Sequence, residues 1–185
     1  MRKQNNNILV VDLEATCSLD NSIMPESMEI IEIGAIWVSN DGALIEQFQS
    51  YVRPIENPRL SQFCLDLTKI AQIEIDQAPI WKDVSQELSL FVERHKGSQS
   101  YWGSWGVYDK NQIDRECRRH KVLVPTCNMQ HENLKANFAK NRKIKQVGMM
   151  TALKIAGLEI VGNHHRALSD ATNIVRLLPG CHRAN

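Results

Sequence analysis

Four carboxylic acids lie far apart in this sequence, each near a point where a strand is expected to end or a helix to begin: Asp12, Glu14, Asp109 and Asp170. Asp12 and Glu14 are two residues apart, and side chains at i and i+2 of a strand point to the same face of a sheet. Both can therefore reach one ion. Because four hard oxygen ligands without thiolates favour Mg²⁺ or Mn²⁺ over Zn²⁺, the set predicts a divalent-metal site.

A histidine precedes the last of these acids by five residues. Two ions about 3.5 to 4 Å apart can stabilise the attacking and leaving oxygens of an in-line phosphoryl displacement, and the attacking water then needs a proton acceptor. Histidine titrates near neutral pH, so His165 suits this role, with its neighbour His164 as a rival. No partner motif is visible for the four other histidines, His95, His120, His131 and His182. Taken singly, each acid or histidine is more often structural or solvated, and only the set indicates a site.

Hydrophobic patterning predicts the elements that position these side chains. Short apolar or alternating runs predict strands at residues 8–11, 29–38, 44–52 and 99–104. The hairpin signal Asn40-Asp41-Gly42 makes the first three an antiparallel unit. Helical spacing, caps and breakers predict helices at residues 58–66, 79–95, 109–120, 133–143, 147–156 and 167–178, with Pro179-Gly180 expected to halt the last. We expect a single α/β domain.

The composition excludes several classes of protein. With 185 residues, 43% of them hydrophobic and 23% charged, the chain can bury one ordinary core and is neither disordered nor fibrous. No stretch approaches the roughly 20 apolar residues that span a bilayer, so no membrane association is expected. The cysteines are scattered without a C-x-x-C pair, which predicts reduced thiols and a cytoplasmic protein: Cys17, Cys64, Cys117, Cys127 and Cys181.

One segment is strongly basic although the formal net charge is only +1. Residues 135–145, called the basic segment below, contain five cations and no acid: Lys135, Lys140, Arg142, Lys143 and Lys145. A near-neutral chain has no global attraction to polyanions, so any affinity for nucleic acid has to come from such local charge and from metal ions. The same run is also typical of a solvated helix face.

The chain resembles the DEDDh 3′-5′ exonucleases, relatives of the proofreading subunit of bacterial DNA polymerase. Three motifs occur in the right order, at residues 10–17 (VVDLEATC), 105–109 (WGVYD) and 165–170 (HRALSD). Further matches at residues 52–54 (VRP), 57–64 (NPRLSQFC) and 131–135 (HENLK) resemble the branch of the histone-mRNA 3′-exonuclease, the RNA-interference-enhancing exoribonucleases and KapD-like bacterial proteins. The resemblance extends from about residue 8 to residue 178.

This resemblance implies a ribonuclease H-like three-layer α/β fold with a mixed five-stranded sheet, one strand more than the sequence pattern predicts. It also implies roles for the acids. Asp12 would bridge two Mg²⁺ or Mn²⁺ ions, Glu14 and Asp170 would complete the tighter site, and Asp109 would serve the second. By the same resemblance His165 would be the general base.

Substrate contacts also follow from the resemblance. The main chain around Leu13 and Ala15 would contact the terminal nucleotide and can sense its 2′-hydroxyl. Phe63 and Tyr108 would stack on the terminal bases, which is worth about 1 to 3 kcal/mol per base; Phe63 could equally be a core residue. The branch usually reads LTGITQ where this chain has LTKIAQ at residues 67–72, so a glycine that favours a turn is replaced.

The expected function is hydrolysis of the 3′-terminal phosphodiester of single-stranded nucleic acid, RNA rather than DNA, with release of nucleoside 5′-monophosphates. Residues 1–185 would form one exonuclease domain with its core at about residues 8–178, acting on a 3′ end. Two alternatives remain open at this point. One is a non-catalytic nucleic-acid-binding domain of the same fold, and the other is an exonuclease that acts mainly on single-stranded DNA.

Overall fold

A mixed five-stranded β-sheet forms the centre of the fold. The structure is a computed structural model that describes residues 6–181, so His182 and the predicted domain limits 1 and 185 lie outside the described residues. The strands are β1 (Ile8–Ala15), β2 (Ile30–Val38), β3 (Leu44–Tyr51), β4 (Tyr101–Ser104) and β5 (Gln130–Asn133). Their order is β3-β2-β1-β4-β5; β1, β2 and β3 pair antiparallel, and β4 pairs parallel with β1 and β5. The mixed five-stranded sheet and its antiparallel start are confirmed.

Within the described range, seven helices accompany the sheet. They are α1 (Gln62–Thr68), α2 (Gln72–Asp76), α3 (Trp81–His95), α4 (Tyr108–His120), α5 (Leu134–Arg142), α6 (Met149–Ile155) and α7 (Ala167–Cys181). None of these helices is long and apolar enough to cross a membrane.

Alternation along β1 divides the helices into two layers. Leu9, Val11 and Leu13 belong to the core cluster that contains the apolar residues of α3 and α4. Ile8 and Val10 belong to a second cluster formed with α5, α6 and α7. Since successive side chains of a strand point to opposite faces, β1 is buried on both sides and the fold has three layers.

Two strand predictions need correction. The first strand does not end before Asp12 but continues to Ala15, and its pairing with β2 extends through Glu14 opposite Glu32. The acids mark no strand end because backbone hydrogen bonds to β2 hold this stretch extended regardless of side-chain polarity. Strand β5 was missed because its sequence QHEN has no apolar alternation. Pairing with β4 at the edge of the sheet makes it a strand.

The helix predictions are wrong at two boundaries and missed one helix. The predicted helix 58–66 begins only at Gln62, because Ser61 is its N-cap and accepts a hydrogen bond from Cys64 N at 3.0 Å. Helix α2 was missed because five residues are too few for a periodic pattern. Helix α7 continues through Pro179 to Cys181, since Cys181 is buried and its thiol lies 3.4 Å from the carbonyl of Leu134.

A glycine of β2 allows α7 to lie unusually close to the sheet. Gly34 is the register partner of Asp12, and a Cβ atom built on Gly34 would lie 2.4 Å from the backbone nitrogen of Leu168. Any larger residue would therefore displace the first turn of α7. Because that turn also carries Asp170, the close approach sets the distance between Asp170 and β1.

Replacing Gly34 by alanine should destabilise the protein, since the new methyl group meets backbone that cannot rotate away. We expect Gly34→Ala to lower the free energy of unfolding by about 2 kcal/mol or more, measured by urea denaturation. Gly148→Ala is the matched control, because a Cβ atom there would meet nothing within 4 Å; its cost should stay below about 1 kcal/mol. Equal losses in the two variants would contradict the close packing.

Candidate active site

Three carboxylates from two elements meet at one point. Oxygen atoms of Asp12, Glu14 and Asp170 all lie within 4.8 Å of one another. Asp12 and Glu14 alternate along β1 and share a face, while Asp170 comes from the first turn of α7. Residues more than 150 positions apart in sequence are thus brought together by the packing of α7 on β1 and β2.

Asp109 is next to this group but lies outside the tight set of three. It sits in the first turn of α4 and is only 6% exposed. Burial raises the pKa of Asp109 to about 6, and polar groups of its own backbone, the Ser104 side chain and the Leu13 backbone partly oppose this shift. Asp109 also acts on Asp12, whose pKa it raises more than Asp170 does. Asp12 therefore interacts with Asp109 as well as with Asp170.

Burial and mutual repulsion both disfavour the charged forms of these acids. Burial raises the pKa of Asp12 well above its usual range, and the neighbouring carboxylates raise it further. Burial, followed by the charges of Asp170 and Glu32, raises the pKa of Glu14 to about 8. A cluster of this kind is stabilised by a bound cation, which removes the repulsion.

The hydrogen bonds of Asp170 show where a cation fits. Its Oδ2 atom lies 2.9 Å from Nδ1 of His164 and accepts from the backbone nitrogen of His165 at 3.0 Å. Its Oδ1 atom is buried and has no hydrogen-bond partner among the described residues. Since buried polar atoms are almost always paired, this oxygen is suited to ligate a metal ion together with Asp12 and Glu14.

Both histidines considered from the sequence lie at this site. The rings of His164 and His165 are stacked with centroids 3.9 Å apart, and His165 has a left-handed backbone with φ of 63°. Burial and the neighbouring His164 lower the pKa of His165, while Asp170 partly opposes them. A neutral imidazole at pH 7 can accept a proton. Of the two rings, His164 is the one whose nitrogen bonds Asp170.

A buried ion pair behind the acids was not found from the sequence. Glu32 is fully buried on β2 and accepts hydrogen bonds from Nε and a terminal nitrogen of Arg166, each at 3.1 Å. It also accepts from the backbone nitrogen of Ala167, at the start of α7. The pair therefore anchors the segment that carries His165 and Asp170. The position of Arg166 inside the third motif was the available signal.

Two of the four residues expected to contact substrate lie beside the acids, and the other two are exposed aromatic residues. The side chains of Leu13 and Ala15 are buried on β1, directly beside Asp12 and Glu14. Phe63 is 38% exposed and Tyr108 is 44% exposed, so the alternative of Phe63 as a core residue is wrong. The Tyr108 hydroxyl lies 3.4 Å from the sulfur of Met28. Both aromatic rings are therefore accessible to a ligand.

The unusual lysine of the LTKIAQ segment occupies the position where the branch has glycine. Lys69 is the C-cap of α1 and has a left-handed backbone with φ of 57°. Its backbone nitrogen donates to the carbonyl of Leu65, which closes the helix as a glycine would. The turn is therefore preserved at the cost of some strain in a residue with a side chain.

Comparisons with known proteins agree with this geometry. The sequence profile of the exonuclease family (RNase_T) matches residues 9–178. Mouse ERI1 exoribonuclease 2 is 29% identical over 92% of this chain and 28% of its own length, and fission-yeast 3′-5′ exonuclease eri1 is 27% identical over 92% of this chain and 66% of its own. The chain thus spans less than two thirds of either relative.

A solved structure is similar over the whole length. The nuclease domain of 3′hExo, described as a DEDDh family member bound to rAMP, superposes with a TM-score of 0.87 at 25% identity and covers 100% of this chain and 98% of that one. Because the exonuclease profile and this superposition both include the three motifs, the chain belongs to the exonuclease (RNase_T) family, among its DEDDh members of the ERI1 and 3′hExo branch.

Proposed function

We propose that this protein is a 3′-5′ exonuclease that hydrolyses the terminal phosphodiester of single-stranded RNA and releases nucleoside 5′-monophosphates. The observation that carries the proposal is the convergence of Asp12, Glu14 and Asp170, with one buried Asp170 oxygen left without a partner among the described residues. We place the activity in a single exonuclease domain with its core at about residues 8–178.

Membership of this family implies use of a divalent metal. We propose that the protein binds two Mg²⁺ or Mn²⁺ ions. Asp12, Glu14 and Asp170 would hold one ion, and Asp12 with Asp109 would hold the other. Such ions supply charge stabilisation for the attacking and leaving oxygens of an in-line displacement at phosphorus. The carboxylates position that charge, and their burial keeps competing water away.

His165 is the proposed general base of the reaction. Its lowered pKa favours the neutral ring, which can take a proton from the attacking water at pH 7. The backbone nitrogen of His165 donates to Asp170, and this bond fixes the base relative to the acids. The contact between His164 and Asp170 gives His164 the role of orienting that carboxylate rather than of accepting the proton.

The proposed substrate is the 3′ end of an RNA strand. Main-chain groups of Leu13 and Ala15 would contact the terminal ribose, where the 2′-hydroxyl distinguishes RNA from DNA. The exposed rings of Phe63 and Tyr108 suit stacking on bases without sequence preference. Similar proteins are named exoribonucleases, and the nuclease domain of 3′hExo was solved with rAMP bound.

Part of the basic segment supplies free cations for the phosphate backbone. Four of its side chains are exposed, and within residues 6–181 none of the four forms an ion pair: Lys140, Arg142, Lys143 and Lys145. Phosphate contacts of this kind add affinity without sequence preference.

We place the protein in the cytoplasm. All five cysteines lie within the described range and are free thiols, which fits a reducing compartment. Burial and packing therefore have to stabilise the fold without a disulfide.

Removing either central acid should abolish hydrolysis. We expect Asp12→Asn and Asp170→Asn to lower kcat/KM by about a thousandfold or more, equivalent to roughly 4 kcal/mol, because the metal charge is no longer held at the phosphate. The measurement is shortening of 5′-labelled RNA from its 3′ end in Mn²⁺. Asp83→Asn, an exposed acid of α3, is the control and should retain full rate. Wild-type rates in Asp12→Asn would reject the site.

The stability of the metal-free protein should fall with rising pH. Glu14 has a pKa of about 8 in the folded state against an ordinary value of 4.5, so the folded state binds the proton more tightly. Its contribution to the free energy of unfolding is fully present below about pH 4.5. This contribution is lost as pH rises towards 8, at about 1.4 kcal/mol for each pH unit between the two pKa values. Urea denaturation in EDTA at pH 5 and pH 8 should show the loss.

Two controls identify the source of that pH dependence. Glu14→Gln should reduce the slope of the profile in EDTA without removing it, because one titrating carboxylate is gone while Asp12 and Asp109 remain. Saturating Mn²⁺ should raise the stability of the wild type at pH 8 more than at pH 5, since the metal competes with protons for the same oxygens. A wild-type profile that rises from pH 5 to pH 8 in EDTA would show that other groups dominate.

The polymer preference is tested with matched RNA and DNA oligonucleotides that carry a 5′ label. We expect a ladder that shortens from the 3′ end and forms faster with RNA, because contacts near Leu13 and Ala15 favour the 2′-hydroxyl. Faster digestion of DNA would make the protein a deoxyribonuclease. Retarded but full-length strands would instead indicate a non-catalytic binding domain.

A further inference from the structure

His131 lies on the edge strand β5, yet it contacts a residue that bonds the carboxylate site. It is the register partner of Trp102 on β4, and its ring meets the indole edge-on with centroids 4.4 Å apart. Ser104 is two residues beyond Trp102, on the same face of the sheet. Nε2 of His131 lies 3.0 Å from the hydroxyl oxygen of Ser104.

The hydrogen bonds of Ser104 determine which partner donates. The hydroxyl is fully buried and donates to the carbonyl oxygen of Gly106 at 3.1 Å, and the Ser104 side chain also acts to lower the pKa of Asp109. A carbonyl is an acceptor, so the single proton of Ser104 is committed to it. His131 is then the donor to the Ser104 oxygen, which requires the proton of the imidazole on Nε2.

The surroundings of His131 fit a neutral ring with one N–H group. Burial lowers the pKa of His131, and the charge of Lys110 lowers it further, while Glu132 and Asp114 act in the opposite direction. The donor therefore needs no charge to function. Since Ser104 is fully buried and His131 is half-buried, water has limited access to these bonds.

We propose that His131 is a positioning residue for Asp109. Its Nε2–H donates to Ser104, which directs the Ser104 hydroxyl to the carbonyl of Gly106 in the loop that leads to Asp109 in the first turn of α4. This inference rests on the proposed function in that Asp109 holds a divalent ion. Groups that hydrogen-bond a metal ligand fix its orientation, and their loss weakens metal binding by about 10-fold to 100-fold.

Two variants separate positioning from simple packing. His131→Phe keeps a ring against Trp102 but removes the donor. His131→Gln keeps an N–H group near the place of Nε2 but removes the ring. If His131 only fills space, His131→Phe is the milder change; if it positions Asp109 through Ser104, His131→Gln is the milder change.

The test is calorimetric titration of the full chain with Mn²⁺, together with thermal melting of each variant. We expect His131→Phe to raise the Mn²⁺ dissociation constant about tenfold or more and His131→Gln to stay within about threefold of the wild type. Ser104→Ala should match His131→Phe, and combining the two should add little, because both remove the same hydrogen-bonded chain. The proposal is overturned if His131→Phe binds Mn²⁺ like the wild type, or if both His131 variants lose affinity equally.

The same titration distinguishes this inference from the proposed function. Wild-type protein that binds no Mn²⁺ would reject the metal site and the role of His131 together. Wild-type protein that binds Mn²⁺ but leaves RNA intact would reject only the exonuclease activity. In that case the order of the His131 variants in Mn²⁺ affinity still decides the positioning role.

Discussion

Repulsion among buried carboxylates is the constraint on which the rest of this structure depends. Asp109 and Asp170 are buried and Asp12 and Glu14 are half-buried. Burial and like charges raise the pKa of Asp12 and Glu14, while burial raises that of Asp109. Left to themselves, these groups would separate or take up protons. The backbone pairing of β1 with β2 and the close packing of α7 on Gly34 keep these acids from moving apart. A bound cation relieves the repulsion that this packing maintains.

Neighbouring groups hold two of the acids, Asp109 and Asp170, in place. Arg166 neutralises Glu32 at the start of α7, and His164 orients Asp170. Ser104 performs a comparable task for Asp109 on the opposite side of β1. These partners leave selected oxygens free, above all Oδ1 of Asp170 within the described part of the chain. A phosphoryl-transfer site depends on such preorganisation, because little reorganisation is then needed when charge develops.

The groups proposed for the chemistry are held rigidly, whereas the groups proposed for substrate binding are exposed. The acids come from a strand buried on both faces, and from the helices packed on it, which hold them in fixed positions. The rings of Phe63 and Tyr108 and four of the five cations of the basic segment are exposed and can adapt to different nucleotides. A nuclease that removes one nucleotide after another without regard to sequence benefits from this arrangement.

The sequence by itself determined the residue types of the site, the α/β class and most elements, because alternation and helical spacing are local signals that do not depend on distant contacts. It also placed Asp12 and Glu14 on one face of a strand. It did not reveal β5, whose polar residues form a strand only because β4 offers hydrogen-bond partners. It also ended α7 too early at Pro179.

Only the tertiary structure decided how distant residues meet: the approach of Asp170 to Asp12 depends on Gly34 having no side chain, and no local pattern relates those three positions. The Arg166–Glu32 pair and the link from His131 through Ser104 likewise join strands and loops that are remote in sequence. Such contacts are properties of packing, since charge and burial act through space and not along the chain.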